Sequence, residues 1–132
     1  MMNKLAQEIH ENAKAKGFYE GEKNTGELLC LIHSEVSEAL EADRKNSHAR
    51  WEYFDRINKY TEDKLTHLGY EKKDQFNLAF ERTIKNTFED ELADVVIRVL
   101  DLCAFKGIDI ESHIKAKMRY NASRPHKHGK SY

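Results

Sequence analysis

The chain has little of what interrupts regular structure. One proline and six glycines in 132 residues leave long periodic stretches intact, and no segment alternates apolar and polar residues as a half-buried strand does. An all-α fold is expected. Cysteine is almost as scarce. Cys30 and Cys103 stand alone, too few for a disulfide framework and too far apart for a paired-thiolate metal site, so both read as buried or half-buried thiols. Charge of one sign is lacking too. With 22 basic and 23 acidic residues the formal net charge is −1, so no overall field draws the chain to nucleic acid or to an anionic membrane. No apolar run approaches the roughly 20 residues of a membrane span. The opening MMNKLAQEIHENAKAKG is charged and amphipathic from its start, unlike a signal peptide, and the expected location is the cytoplasm. No repeat or low-complexity tract is present, and 132 residues make one domain with a modest core the expectation.

What is present begins with LLCLIHSEVSEALEA, Leu28 to Ala42. Turned at about 100° per residue, Leu28, Leu31, Ile32, Val36, Ala39, Leu40 and Ala42 form one broad apolar face. Glu35 falls inside that face and Glu38 lies at its edge, one turn on. A carboxylate facing a core is costly unless a cation meets it. From Phe88 to Phe105 the sequence FEDELADVVIRVLDLCAF is apolar around most of its circumference, which predicts a largely buried helix. Its polar strip is Glu91, Asp94, Arg98 and Asp101. Glu91 and Asp94 repeat the i, i+3 spacing that puts two carboxylates on one helical face.

Two such helices with inward acids are a way to hold Mg²⁺, with Mn²⁺ as a substitute, because that hard cation takes carboxylate, water and phosphate oxygens. With 23 acids in the chain, chance alone gives about four acidic i, i+3 pairs. The spacing therefore decides little, and the weight falls on where both pairs sit against apolar stripes. A buried salt-bridge network centred on Arg98 is the competing reading.

In chain order, a first helix from about Asn3 to Lys16 stops at Gly17, and Asn24 or Thr25 can cap the helix of Glu35. Phe18 and Tyr19, just ahead of it, either cover the end of the core or offer a stacking surface to a nucleobase. Arg44 to Ser47 reads as a helix end and loop. Trp51, Tyr53, Phe54, Ile57 and Tyr60 recur at helical intervals, as core or subunit contact. Thr66 to Asp74 reads as a break. Phe76, Leu78, Phe80 and Ile84 start a shorter helix that can run on into the Glu91 segment. Gly107 closes that segment and Asp109 caps a last helix reaching about Ala122. Lys115, Lys117, Arg119 and Arg124 give it a basic side, and Lys127 and Lys130 follow on a tail with Gly129. Such cations either clamp phosphate oxygens or fray into solvent.

The order of these motifs resembles the MazG-like all-α nucleoside triphosphate pyrophosphohydrolases: LIHSEVSEALEA, then EDELAD, then K-x-x-x-N-x-x-R-P-x-K-H-G-K. The likeness covers about Phe18 to Lys45 and Thr87 to the C-terminus. It implies a single helical-bundle domain of about four to six helices with an aromatic-rich insertion at about 46–86. It implies a site between the two acidic helices, completed by oligomerisation as a homodimer or homotetramer. By resemblance Glu35, Glu38, Glu91 and Asp94 bind Mg²⁺, Lys117 and Asn121 bind the phosphates, and Arg124 matches the basic position that follows; Lys127 and Lys130 join them as the cationic tail's candidate phosphate contacts. The implied reaction is Mg²⁺-dependent hydrolysis of a nucleoside or deoxynucleoside triphosphate to monophosphate and pyrophosphate, with Glu35 or Glu38 taking the proton. Ser34 stands where the fullest family motif has a further Glu, which leaves the number of metal ions and the general base open.

Three other readings use the same residues. A related enzyme could cut another pyrophosphate bond, such as that of a phosphoribosyl-nucleotide. A non-catalytic helical interaction or regulatory module would pair the acids with Arg98 and Lys117. A di-iron carboxylate bundle expects Glu-x-x-His on two helices, and no Glu here has a His three residues on.

Overall fold

The computed structural model describes residues 1–71 and 74–131, the side chain of His128 apart. All regular structure among these residues is helical. The α-helices are α1 (Met2–Ala15), α2 (Thr25–Arg44), α3 (Trp51–Asn58), α4 (Glu62–His67), α5 (Gln75–Thr83), α6 (Phe88–Phe105) and α7 (Ile110–Ala122), followed by a 3₁₀ turn at His126–Gly129. None of the described helices is long and apolar enough to cross a membrane. The chain divides into two compact units, one of Met1–Leu28 with Ile97–Tyr132 and one of Leu29–Val96.

In the first unit, polar contacts lock the start of α1 to the start of α7. The Asn3 side-chain amide donates to the Asp109 carboxylate at 2.6 Å, and its Oδ1 accepts the Glu111 N–H at 3.2 Å. Glu111 accepts from the Met1 ammonium and the Met2 N–H. Asp109 also caps α7 by accepting the Ser112 N–H at 3.1 Å, as its position predicts. Ala6 and His10 of α1 and Leu100 and Cys103 of α6 are the buried residues here. Asp101 accepts the Tyr19 hydroxyl and meets His10 Nδ1, both at 2.7 Å, and the Tyr19 ring packs edge-on to His10 and tilted on Phe105.

In the second unit, α3 and α5 pair closely. The Gln75 amide at the start of α5 donates to the carbonyls of Ile57, Asn58 and Tyr60, which takes up acceptors left open at the end of α3. The rings of Trp51, Phe54, Phe76 and Phe80 run in a ladder with centroids 5.2–6.2 Å apart. The segment after α2 is tied to the segment before α6: Phe88 N–H donates to Ser47 O, Arg50 N–H to Thr83 O, and Ala49 N–H to the Glu89 carboxylate. These bonds fix the neighbourhood of the acidic residues.

Several expectations need correction. The insertion holds three short helices, so the total exceeds the four to six expected. Helix α4 begins before the break placed at Thr66–Asp74, capped by Thr61, whose hydroxyl accepts the Lys64 N–H; Lys72 and Lys73 of that break lie outside the described residues. Helix α5 does not run into α6. Thr87 Oγ1 accepts the Asp90 N–H while the Asp90 carboxylate accepts the Asn86 N–H, a reciprocal cap that starts α6 afresh, and Asn86 turns with a left-handed φ of 59°. Helix α6 is not largely buried either: Leu92, Val96 and Ile97 remain half exposed, as do Leu31, Val36 and Leu40 on α2. Within each unit too few neighbours exist to cover a helix that is apolar all round. Cys30 is exposed, while Cys103 is buried and burial pushes its thiol pKa up.

Candidate metal centre

Helix α2 is regular through LIHSEVSEALEA, so Glu35 and Glu38 stand one turn apart on one side of it. Asn24 starts that helix, its side-chain oxygen accepting the Gly26 and Glu27 N–H groups. Glu91 lies in the first turn of α6. Ligand oxygens of Glu35, Glu38 and Glu91 all fall within 4.8 Å of one another. Glu35 is 7% exposed and Glu91 5%, whereas Glu38 opens to solvent. Burying a carboxylate is costly, and burying two beside a third is more so.

Glu91 carries that cost most visibly. Its pKa is raised, first by burial and then by the negative charges of Glu38, Asp94, Asp90 and Glu35. Among the described residues no hydrogen bond or ion pair reaches its carboxylate. A buried acid of this kind is rare in a purely structural site, because a network built for stability satisfies its members. Three hard oxygen donors converging within one ion's reach, one of them on a buried residue whose carboxylate lines the cleft, fit a divalent cation of the Mg²⁺ type. Asp94, one turn further along α6, is half-buried and acts on Glu91 through its charge, but it lies outside the group of three.

A cleft of about 520 Å³ opens beside the carboxylates. Glu38, Glu41 and Glu91 line it together with Lys45, Ser37, Ser47, Asn86 and Ala42. Glu41 is paired with Arg44 at 3.0 Å. Sequence reading missed this wall. Lys45 could have been found, since seven residues beyond Glu38 is the same helical face. Ser47 and Asn86 could not, because only the tertiary bonds between the two loops bring them together.

The basic residues belong to the first unit. Lys117 and Arg124 approach the same Tyr120 ring, at 5.3 and 5.6 Å from its centroid. Asn121 between them keeps a buried side-chain oxygen without a hydrogen-bond partner. Lys115 is instead bound to Glu111 at 2.7 Å. Lys127 adopts a left-handed φ of 51° in the 3₁₀ turn, and Lys130 is exposed beyond it. Of the two candidate stacking rings, Phe18 is 65% exposed and Tyr19 is held among His10, Asp101 and Phe105. Arg98 also lies in the first unit.

Compared with protein-family models, curated proteins and solved structures, the chain matches none.

Proposed function

We propose that the chain is a MazG-like nucleotide pyrophosphohydrolase that uses Mg²⁺ held by Glu35, Glu38 and Glu91, with Asp94 beside them. The observation that supports this most is Glu91, a buried carboxylate with a raised pKa and no partner among the described residues, converging with two other acids. The motif order supports the reaction class. A bound Mg²⁺ lowers the pKa of a coordinated water and offsets charge on phosphoryl oxygens.

The protein's own groups then have separable tasks. Glu38, exposed at the edge of the cluster, is the better placed of the α2 pair to take a proton from a water attacking the α-phosphorus. Glu35, buried beneath, serves as a ligand. Lys117, Asn121 and Arg124, with Lys127 and Lys130, are the proposed phosphate ligands, suited to oxyanions by charge and hydrogen bonding. The products are a nucleoside monophosphate and pyrophosphate. Assembly as a homodimer or homotetramer belongs to the same reading, because α2 and α6 leave apolar side chains half exposed.

Incubation with a panel of nucleoside triphosphates and Mg²⁺, with phosphate and pyrophosphate measured separately, tests this. Pyrophosphate release that stops with chelator and falls more than about 100-fold in Glu38→Gln is expected, since loss of even an outer-shell partner of a metal costs about 10- to 100-fold. Turnover of Glu38→Gln at the wild-type rate under limiting Mg²⁺ would remove that residue from the site. No hydrolysis of any member leaves the helical interaction module as the better reading.

A further inference from the structure

The cleft beside the three carboxylates differs from a nucleobase pocket: among the described residues no aromatic ring lines it. Its groups are carboxylates, hydroxyls, one side-chain amide and one ammonium. We infer that this cleft receives a diphosphate portion of a phosphorylated substrate, and that Lys45 is its ammonium contact. The inference rests on the metal reading above, and it assigns to that site a residue outside both acid pairs and outside the C-terminal basic box.

Lys45 is placed for this by α2. Its N–H still bonds to Glu41 O at 3.1 Å, so it continues the helical register that carries Glu38. Seven residues at 1.5 Å each set its backbone about 10 Å along the axis from Glu38, a span that a lysine side chain and a short phosphate chain bridge together. Its ammonium makes no ion pair or hydrogen bond among the described residues, in contrast to Arg44, which Glu41 holds. Among the described residues Lys45 is also the one cation that lines the cleft, which holds three carboxylates.

That imbalance matters. An anion alone is repelled by Glu38 and Glu91, while Glu41 is offset by Arg44, so what the cleft accepts must bring or meet a cation at the acids and present oxyanions to Lys45. A diphosphate bridging Mg²⁺ and an ammonium does both. Asn86 also lines the cleft, as do Ser37 and Ser47, whose hydroxyls donate to the His33 and Asn86 carbonyls. The Asn86 backbone is fixed by its bond to Asp90 at 2.9 Å. Lysine suits such a contact as a mobile point charge on a long stem.

The test is a calorimetric titration of the full chain with sodium pyrophosphate in Mg²⁺, paired with Mn²⁺ uptake followed by electron paramagnetic resonance. Lys45→Ala is expected to weaken pyrophosphate binding about ten- to hundred-fold, with Mn²⁺ uptake unchanged and Lys45→Arg recovering most of the loss. Lys45 is exposed, so neither variant endangers folding. Wild-type pyrophosphate affinity in Lys45→Ala, or Mn²⁺ uptake by the wild type with no pyrophosphate binding, overturns the inference and leaves the metal site standing. No Mn²⁺ uptake by the wild type overturns the metal reading and this inference together.

Discussion

Glu91 combines 5% exposure with four acidic neighbours that raise its pKa. Without metal, its charge works against folding. Glu91→Gln keeps the shape and removes that charge, so in chelator the variant should melt above the wild type. Relieving a partly desolvated charge repelled by its acidic neighbours contributes about 1 kcal/mol, or roughly 3–5 °C for a chain of this length. Equal or lower melting temperature in differential scanning calorimetry would show that Glu91 is already compensated. Residues of this kind are readable from sequence because an acid inside an apolar stripe is an anomaly at fixed period. Glu35 stood out in that way, and Glu91 through its i, i+3 pairing with Asp94 on the polar strip of an otherwise apolar helix. Ser47 and Asn86 did not, since polar residues in loops carry no such contrast, and their place in the cleft follows from loop-to-loop bonds.

The helices separate into those the sequence defines locally and those it does not. Helix α6 occupies Phe88–Phe105, the span its apolar run marks out, and α7 starts at the Asp109 cap. Helix α4 has six residues, fewer than two turns, and depends on Thr61 and on the burial of Leu65; periodicity over so short a run is uninformative. Two predictions belong here. Gln75→Ala removes the donor shared by three carbonyls at the end of α3, which should cost about 1–2 kcal/mol and speed proteolysis between α3 and α5. An unchanged cleavage rate in limited proteolysis would show that the ring ladder alone holds that pair. The second concerns acid. Asn3 and Ser112 hold the Asp109 carboxyl down at about 2, and Lys115 with the Met1 ammonium holds Glu111 there too. Carboxyls lowered in the folded state stabilise it above the ordinary carboxylate range, near pH 4, and lose that effect as pH falls through about 2. Asp109→Asn should therefore be less stable at neutral pH and show a flatter loss of stability between about pH 4 and pH 2. A denaturation series giving parallel wild-type and variant curves across that window would contradict the assignment.

For the whole molecule, an all-α architecture followed directly from one proline, few glycines and long apolar periods. Which apolar surfaces are covered did not follow, because a stripe reads the same whether it faces its own chain or another. Leu31, Val36 and Leu40 on α2, Leu92 and Val96 on α6, and Trp51 and Phe76 in the insertion remain exposed. Of the expected contact residues Trp51, Phe54, Ile57 and Tyr60, the last three are only partly exposed, so Trp51 is the strongest candidate among them. Sedimentation equilibrium should give a dimer or tetramer, and an active monomer at micromolar concentration would contradict it. The central claim is that three converging carboxylates hold a divalent cation, and Mn²⁺ titration of chelator-stripped protein by electron paramagnetic resonance tests it most directly. Loss of the free-ion signal in proportion to protein, abolished in Glu91→Gln and competed by Mg²⁺, is the predicted result. A free Mn²⁺ signal that the wild-type protein leaves undiminished would contradict it.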